Sequence, residues 1–362
     1  MAPSTRGLIL TSKVAIVKFD DNAEAESLNE ALRLLGGIDD LNTPERAVVV
    51  KVGVFSHKAD NHTSISFVDA IVSSFNKAPR IFLAESDNYQ GTGLERLQIW
   101  KELFSRRVAP VTLSDLQEAR DVTLAGQEMK LSNVLFKPNV LVNTHILRTF
   151  ERGSILKNLF GCVPLRKKAK FHKSEIFCSL LADIYEAIGG VDLSVMDGTY
   201  LWRGASDLRV RMNTLLVGRD AVAVETVGAI LAGLKPERMP VTQEFVKRGL
   251  GVGNIKEIEI VGTPLESLRE ESKLAAKTLR KQWKERGGAP SVWAPTIDSL
   301  IEDGFFQLPN KRTRSDVAKA FEAKSISTKG NTGKIVTTLT RRAKKGKLKA
   351  AKEPSGWVYW TE

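Results

Sequence analysis

Ala47-Val-Val-Val-Lys-Val-Gly-Val-Phe55 is the stretch that decides the fold class. Alternate side chains of a strand point to opposite sides of a sheet, so a run this continuously apolar suits a strand covered on both faces. Working outward, similar strand candidates stand at 14–19, 80–85, 140–143, 193–197, 213–217 and 258–261. Helical periodicity fills the intervals at 26–35, 65–75, 94–104, 175–188 and 220–231. Two of these helices run into paired glycines, Gly36-Gly37 and Gly189-Gly190, which suit the left-handed end of a helix. Strand–helix alternation of this kind predicts an α/β body over residues 1–263: a layered, mostly parallel or mixed sheet with flanking helices.

After the body, residues 264–292 read as a charged helix with Leu265, Leu268, Ala275, Leu279 and Trp283 on one face, broken by Gly287-Gly-Ala-Pro290. This stretch is the linker candidate. Residues 293–362 follow a different plan. Helices are expected at 296–306, at 315–323 behind an N-cap at Ser315, and at 332–345 between Asn331 and Gly346. Segments 347–351 and 356–360 flank the turn-rich Lys352-Glu-Pro-Ser355 and read as a hairpin. Three helices and a hairpin predict a small winged-helix domain of the helix-turn-helix type.

At 362 residues, 42% apolar and 27% charged, the chain has a globular composition, and its length predicts two or three domains. No apolar run approaches the roughly 20 residues that cross a bilayer, so no membrane partner is expected. Met1-Ala-Pro-Ser-Thr-Arg6 leads into only four apolar residues, which is short for a secretory signal. Cys162 and Cys178 are too few for a disulfide framework or for the four ligands of a structural zinc or iron–sulfur site. Two reduced thiols in a cytoplasmic protein are the simplest reading.

Charge is unevenly placed. Residues 267–362 hold 21 Lys/Arg and 10 Asp/Glu, which accounts for +11 of the formal net charge of +12. Such segregation points the tail at a polyanion or an acidic protein surface. The polar face of the third tail helix carries Lys334, Arg341, Arg342, Lys344 and Lys345, and the hairpin adds Lys347, Lys349 and Lys352. A helix in this position enters the major groove in nucleic-acid-binding members of the architecture. Trp357, Tyr359 and Trp360 are placed to pack or to stack, and protein docking stands beside nucleic acid as a reading of the same residues.

A second cluster lies inside the body. Residues 148–173 hold eight Lys/Arg (148, 152, 157, 166, 167, 168, 170 and 173) against one acid, Glu151. The cluster marks either an anion site or a solvated basic loop. Within it, Lys157-Asn-Leu-Phe-Gly161, with His172 downstream, resembles the signature of the domain-of-unknown-function family numbered 362. Matches follow in the same order: Val48-Val-Val-Lys51 with Thr63 after it, Glu85-Ser86, Val195-Met-Asp-Gly198, Gly218-Arg-Asp-Ala-Val-Ala-Val-Glu225 and Gly249-Leu-Gly251. The resemblance covers roughly residues 45–263. It implies a shared fold and a candidate site, with no defined reaction. The chain departs from the family pattern at Gly53, where Asn is common, at Phe150, where His often follows a Lys-Thr pair, and at Glu225, where Asp is usual. Many relatives carry ferredoxin-like cysteine clusters. This chain has none, so an iron–sulfur role implies another subunit.

Residue types supply the chemistry. Lys51, Arg148 and Lys157 suit a carboxylate or phosphate, Asn158 can orient it, and Thr63, Glu85 and Ser86 complete a ligand-binding set. His172 and Asp197 can exchange protons, making them the catalytic candidates. Asp197, Asp220 and Glu225 can hold a divalent cation through oxygens. The plainer readings are that Asp220 caps a helix, that Glu225 is the buried partner of a basic residue, and that His172 lies on the surface. Four scattered histidines argue against a His-rich metal site, and no phosphate loop, dinucleotide fingerprint or nucleophile elbow is present. Two functional expectations follow. One is a nucleic-acid-associated or regulatory factor whose body binds an anionic small molecule. The other is an enzyme for an anionic substrate, redox-linked through an iron–sulfur partner, whose tail docks to protein.

Overall fold

The computed structural model describes residues 12–172, 174–204, 206–286, 293–324, 326, 328, 332–354 and 356–362. The expected helix break at 287–290, Lys173, Asn331, Ser355, the first eleven residues and the side chain of Lys334 lie outside the described residues. The chain divides into two compact units, Met1–Arg280 and Lys281–Glu362.

The larger unit runs β1 (Ser12–Lys18), α1 (Glu24–Leu34), β2 (Val48–Lys51), α2 (Ile65–Ser74), β3 (Ile81–Glu85), α3 (Gly93–Leu97), β4 (Val108–Thr112), β5 (Ala119–Leu124), β6 (Gln127–Ser132), β7 (Val140–Arg148), α4 (Ile155–Asn158), α5 (Ser174–Ala187), β8 (Leu193–Trp202), β9 (Arg209–Gly218), α6 (Ala221–Leu231), α7 (Pro240–Lys247) and β10 (Ile258–Gly262). Eight strands form one mixed sheet in the order β10-β1-β9-β8-β7-β2-β3-β4. All neighbouring pairs are parallel except the two made by β9, which runs against β1 and β8.

Both faces of the sheet are covered, which explains the apolar strand runs. Within β2, Val49 joins the core that includes α5 and α6, whereas Val48 and Val50 join the core with α1 and α2. β7 alternates in the same way, with Leu141 and Leu147 on one side and Val140 and Val142 on the other. Local signals set the helix ends. The Ser64 side chain accepts the Phe67 N–H at the start of α2, and Asp220 does so for Val222 and Ala223 in α6. Gly36 and Gly37 leave α1 at φ of 90° and 89°, a region that disfavours residues with a Cβ.

The stretch expected to be one helix at 94–104 is α3 followed by a 3₁₀ turn, with Trp100 at non-helical angles inside that turn. The long helix α8 (Leu265–Glu285) is no free spacer along its first turns, because Leu265, Leu268, Ala275, Ala276 and Leu279 are packed into the core of the larger unit.

The smaller unit contains α9 (Trp293–Glu302), β11 (Arg312–Thr313), α10 (Arg314–Ala323), α11 (Thr332–Lys344), β12 (Lys349–Glu353) and β13 (Gly356–Trp360). Its strands form an antiparallel sheet in the order β11-β13-β12. Trp293, Ile297, Phe306, Phe321, Ile335, Leu339 and Tyr359 make its core, with Trp293 stacked on Phe321 at 4.9 Å. The N-cap of α10 is Thr313 rather than Ser315: Thr313 and Asp316 form a reciprocal capping box that fixes the helix start two residues earlier. Among the described residues no helix is long and apolar enough to cross a membrane.

Candidate functional site

From β2 the chain proceeds to β3 and β4 on one side, while from β7 it proceeds to β8 and β9 on the other. The path therefore reverses between β2 and β7. In open α/β sheets ligands settle outside the carboxyl ends of the strands at such a point. Lys51 ends β2, Glu85 ends β3 and Arg148 ends β7, so three candidate residues meet here because strand ends place them.

The floor of this crevice is a buried polar knot. Lys51 Nζ donates to Glu85 Oε2 at 2.9 Å, to Asn158 Oδ1 at 3.1 Å and to Val52 O at 2.9 Å. Arg96 Nη2 lies 3.0 Å from Glu85 Oε1, and its guanidinium also donates to the carbonyls of Val54 and Ser86. Asn158 Nδ2 donates to Lys51 O, Asn143 Oδ1 and Thr144 O, so one amide ties β2 to β7 where their paths diverge. The motif glycine has a reason too. A Cβ on Gly161 would stand 2.5 Å from Lys51 Nζ and 2.6 Å from Glu85 Oε1.

Above the floor opens a cavity of about 540 Å³. Its wall carries six cationic side chains, Arg96, Arg148, Lys157, Arg166, Lys167 and Lys168, against one carboxylate, Glu85. His145 and Phe160 are buried in its lining, His172 lines it from an exposed position, and the exposed rings of Phe55 and Tyr89 meet edge-to-face at the rim. A wider hollow of about 830 Å³ beside α8 holds three cations, one carboxylate and no histidine.

The electrostatics follow first from burial and then from neighbouring charge. Burial, then Arg148, Arg152 and Lys51, lowers the Lys157 ammonium to about 7, with Glu85 opposing. Burial lowers Lys168 to about 8 against the pull of Glu85, and brings Arg148 to about 10 despite Glu225. His145 is pushed well below its ordinary range by burial and then by Arg148, Lys157 and Lys51. His172 is lowered by desolvation, then by Lys157 and Arg152. All five shifts run toward the less charged state, as expected where cations outnumber anions in a low-dielectric hollow.

Residues 48–230, just over half of the chain, match the family described as Domain of unknown function (DUF362). The chain belongs to this family. Neither a curated protein nor a solved structure matches it. The DUF362 match takes in β2 through most of α6, hence the whole crevice. It ends short of Gly249-Leu-Gly251 and of the smaller unit.

Within the DUF362 region the expected residues divide. Glu85, Arg148, Lys157, Asn158 and His172 share the cavity wall. Lys51, Thr63 and Ser86 are fully buried behind it, because each is consumed by its neighbours. Lys51 is held in the knot, Thr63 Oγ1 faces Thr144 Oγ1 at 3.5 Å, and Ser86 Oγ accepts from Lys168 Nζ at 2.6 Å.

His172 and Asp197 do not form a proton-exchanging pair. His172 stacks against Phe177 with its Nδ1 3.3 Å from Arg152 Nη1. Asp197 is spent on the Ser64 N–H at the head of α2 and on the N–H and hydroxyl of Thr199. The metal set disperses for the same reason: carboxylates beside unpaired backbone N–H groups are taken up by them. Asp220 accepts from Val222 N, Ala223 N, Val252 N and Ser12 Oγ. Glu225 accepts from Ser154 N and Leu156 N beneath Arg148, and burial raises its pKa. Among the described residues no group of three or more His, Cys, Asp or Glu is placed to hold a metal ion.

Arg96, His145 and the rim rings Phe55 and Tyr89 line the crevice without having been among the sequence candidates. Arg96 gives no local signal, since its partners are 10 to 42 residues away. His145 does give one: Asn143-Thr-His145 is a polar run inside an otherwise apolar strand. Its ring also explains Gly53, where a Cβ would stand 2.3 Å from His145 Nδ1.

In the smaller unit, three of the seven basic candidates are already paired. Arg342 and Lys347 both reach Asp298, and Lys349 reaches Glu362. Arg341, Lys344 and Lys345 are exposed. Tyr359 is core and Trp357 is 55% exposed, while Lys311 Nζ sits 5.1 Å from the Trp360 ring centre.

Proposed function

We propose that the DUF362 body binds a small organic anion in the crevice between β2 and β7. The observation that carries this reading is the imbalance on one cavity wall, six cations to one carboxylate. Water screens charges on an open surface, but a partly desolvated wall leaves their repulsion standing until an anion enters. Arg148 and Lys168 are the anchoring groups, Asn158 and Glu85 hold the floor, and Phe55 and Tyr89 suit a flat portion of the ligand. Calorimetric titration of the full chain with sulfate and with inorganic phosphate tests the reading. Saturable binding, weakened at least about tenfold by Arg148→Met, is expected for a charge-assisted contact. Heat no different from dilution would end it.

The smaller unit is assigned on its element order. A helix, a short strand, two helices and a hairpin, closed by a three-stranded antiparallel sheet, support a winged-helix module. Arg341, Lys344 and Lys345, exposed at the end of α11, fit phosphate contacts, so the whole protein reads as a ligand-responsive factor that docks on nucleic acid. Duplex binding measured over a salt series tests this half: phosphate contacts make log K fall linearly with log salt.

A further inference from the structure

The cations of the crevice are not equivalent. Arg96 is fixed by Glu85 and two carbonyls, Lys168 by Ser86 Oγ and Phe160 O, and Arg148 by Gly153 O. Lys157 alone among these four has no hydrogen-bond or ion-pair partner in the described residues, and its Nζ lies 5.5 Å from the centre of the Phe150 ring. It stands on the short helix α4, held from below by Glu225 through the N–H groups of Ser154 and Leu156. An amine mounted there without a partner has its nitrogen free for bond-making.

Resting on the anion-site reading, we propose that Lys157 Nζ is a nucleophile that condenses with the carbonyl carbon of a small anionic aldehyde or ketone to form an imine. The C–N bond forms first, giving a carbinolamine. The carbonyl oxygen then leaves as water, taking both protons of the neutral amine. Arg148 and Lys168 hold the anionic group, which leaves the amine free for bond-making. His172 lies on the same wall, its pKa lowered by desolvation and then by Lys157 and Arg152, and it passes protons between nitrogen and departing oxygen. Burial, then Arg148, Arg152 and Lys51, with Glu85 opposing, lowers the Lys157 amine to about 7. Desolvated lysines next to other cations are the ones that make such imines. Phe55 and Tyr89 at the rim extend the substrate class to carbonyl anions with a flat portion.

The test uses the full chain and two probes. Pyridoxal 5′-phosphate is a flat anion with an aldehyde, and pyridoxine 5′-phosphate is the same anion with an alcohol. After incubation with the aldehyde at pH 7 and borohydride reduction, peptide mass spectrometry reads the label at every lysine. Label at Lys157 is expected to exceed that at exposed lysines such as Lys167 at least about tenfold. The alcohol should suppress it. The Lys157→Arg variant should lose this label while holding the alcohol within a few-fold of the parent. Labelling of Lys157 no faster than Lys167 overturns the imine, and because that comparison is made in the parent protein it needs no variant to fold. If the alcohol still binds in that case, only the imine falls. If it does not bind, the anion site falls with it.

Discussion

The two basic regions of this protein carry similar side chains in opposite situations. In the crevice of the DUF362 body, Arg148, Lys157 and Lys168 are largely withdrawn from water and face a wall with one carboxylate. In the smaller unit, Lys311, Lys324, Arg342, Lys347 and Lys349 stand near the surface, each beside a carboxylate of the same unit. A charge count of the sequence favours the second region as the anion seeker. Desolvation favours the first, because an exposed ion pair is worth little and an exposed cation is already satisfied by water. Counting charges locates basic regions, whereas burial decides which of them lacks a partner.

The largest effect that can break this contrast lies under the crevice. Glu85→Gln keeps the shape of the side chain but strands Lys51 and Arg96 in the interior. A loss of about 3–5 kcal/mol in the unfolding of the body, read from its denaturant midpoint, is expected for a buried pair broken on one side. Loss below about 1 kcal/mol would mean that water reaches the knot. Next in size are the packed glycines. Gly161→Ala drives a methyl against Lys51 Nζ, and Gly53→Ala drives one against the His145 ring. Each should lower the same midpoint by the equivalent of about 1–3 kcal/mol, the ordinary range for overpacking.

What could be read in advance follows the same division. β2, the start of β7 and the end of β9 were legible because burial on both faces leaves an apolar record, whereas the polar Asn143-Thr-His145 run of β7 and the 209–213 half of β9 hid the rest of those strands. β4 was not, since it lies at the sheet edge and contains Pro110, and edge strands tolerate polar and proline interruptions. The β5–β6 hairpin, with its turn at Ala125-Gly126, was hidden by its polar composition. Lys157, Asn158 and Gly161 stood out because they are adjacent in the chain. Arg96 joins them through contacts spanning tens of residues, which no local pattern encodes. Asp197 and Asp220 looked functional for the opposite reason: an acid beside a glycine or a helix start looks alike whether it binds a ligand or a backbone N–H.

The pH dependence of anion binding sharpens the comparison at intermediate size. Sulfate keeps its charge between pH 6 and 8.5, so a change in its affinity reports on the protein. Lys157 is lowered to about 7 in the free cavity by burial and then by Arg148, Arg152 and Lys51, with Glu85 opposing. An anion prefers the protonated amine, so affinity should be highest below pH 7 and fall several-fold by pH 8.5, by no more than about tenfold per unit. Lys157→Met should be weaker at pH 6, lose the fall centred near pH 7 and keep only the later fall from Lys168, which is lowered to about 8. The linkage to folding has the matching sign. The unfolded lysine binds protons up to about pH 10.4, so the unfolded chain holds more protons between the two values. Stability of the free body should rise across that window, and the methionine variant should lose the Lys157 share of the rise while keeping what Lys168 adds above about pH 8.

The smallest effects separate paired from unpaired cations in the smaller unit. Arg342 donates through Nε to Asp298 Oδ1 at 2.7 Å, and Lys347 approaches the same carboxylate at 3.3 Å. The pair shifts both groups toward charge: Arg342 holds the Asp298 carboxyl below its usual range, and Asp298 raises the guanidinium. Asp298 belongs to α9, so Arg342 braces two helices of the unit. Arg342→Ala should cost its fold about 0.2–1 kcal/mol, as surface pairs do, and leave the salt dependence of duplex binding almost unchanged. Arg341→Ala, Lys344→Ala and Lys345→Ala should each leave stability alone and lower the salt slope by about 1 for each phosphate no longer gripped. If Arg342→Ala moves the slope as much as the other three, its pairing with Asp298 opens on binding. The division between satisfied and unsatisfied cations would then hold only for the crevice.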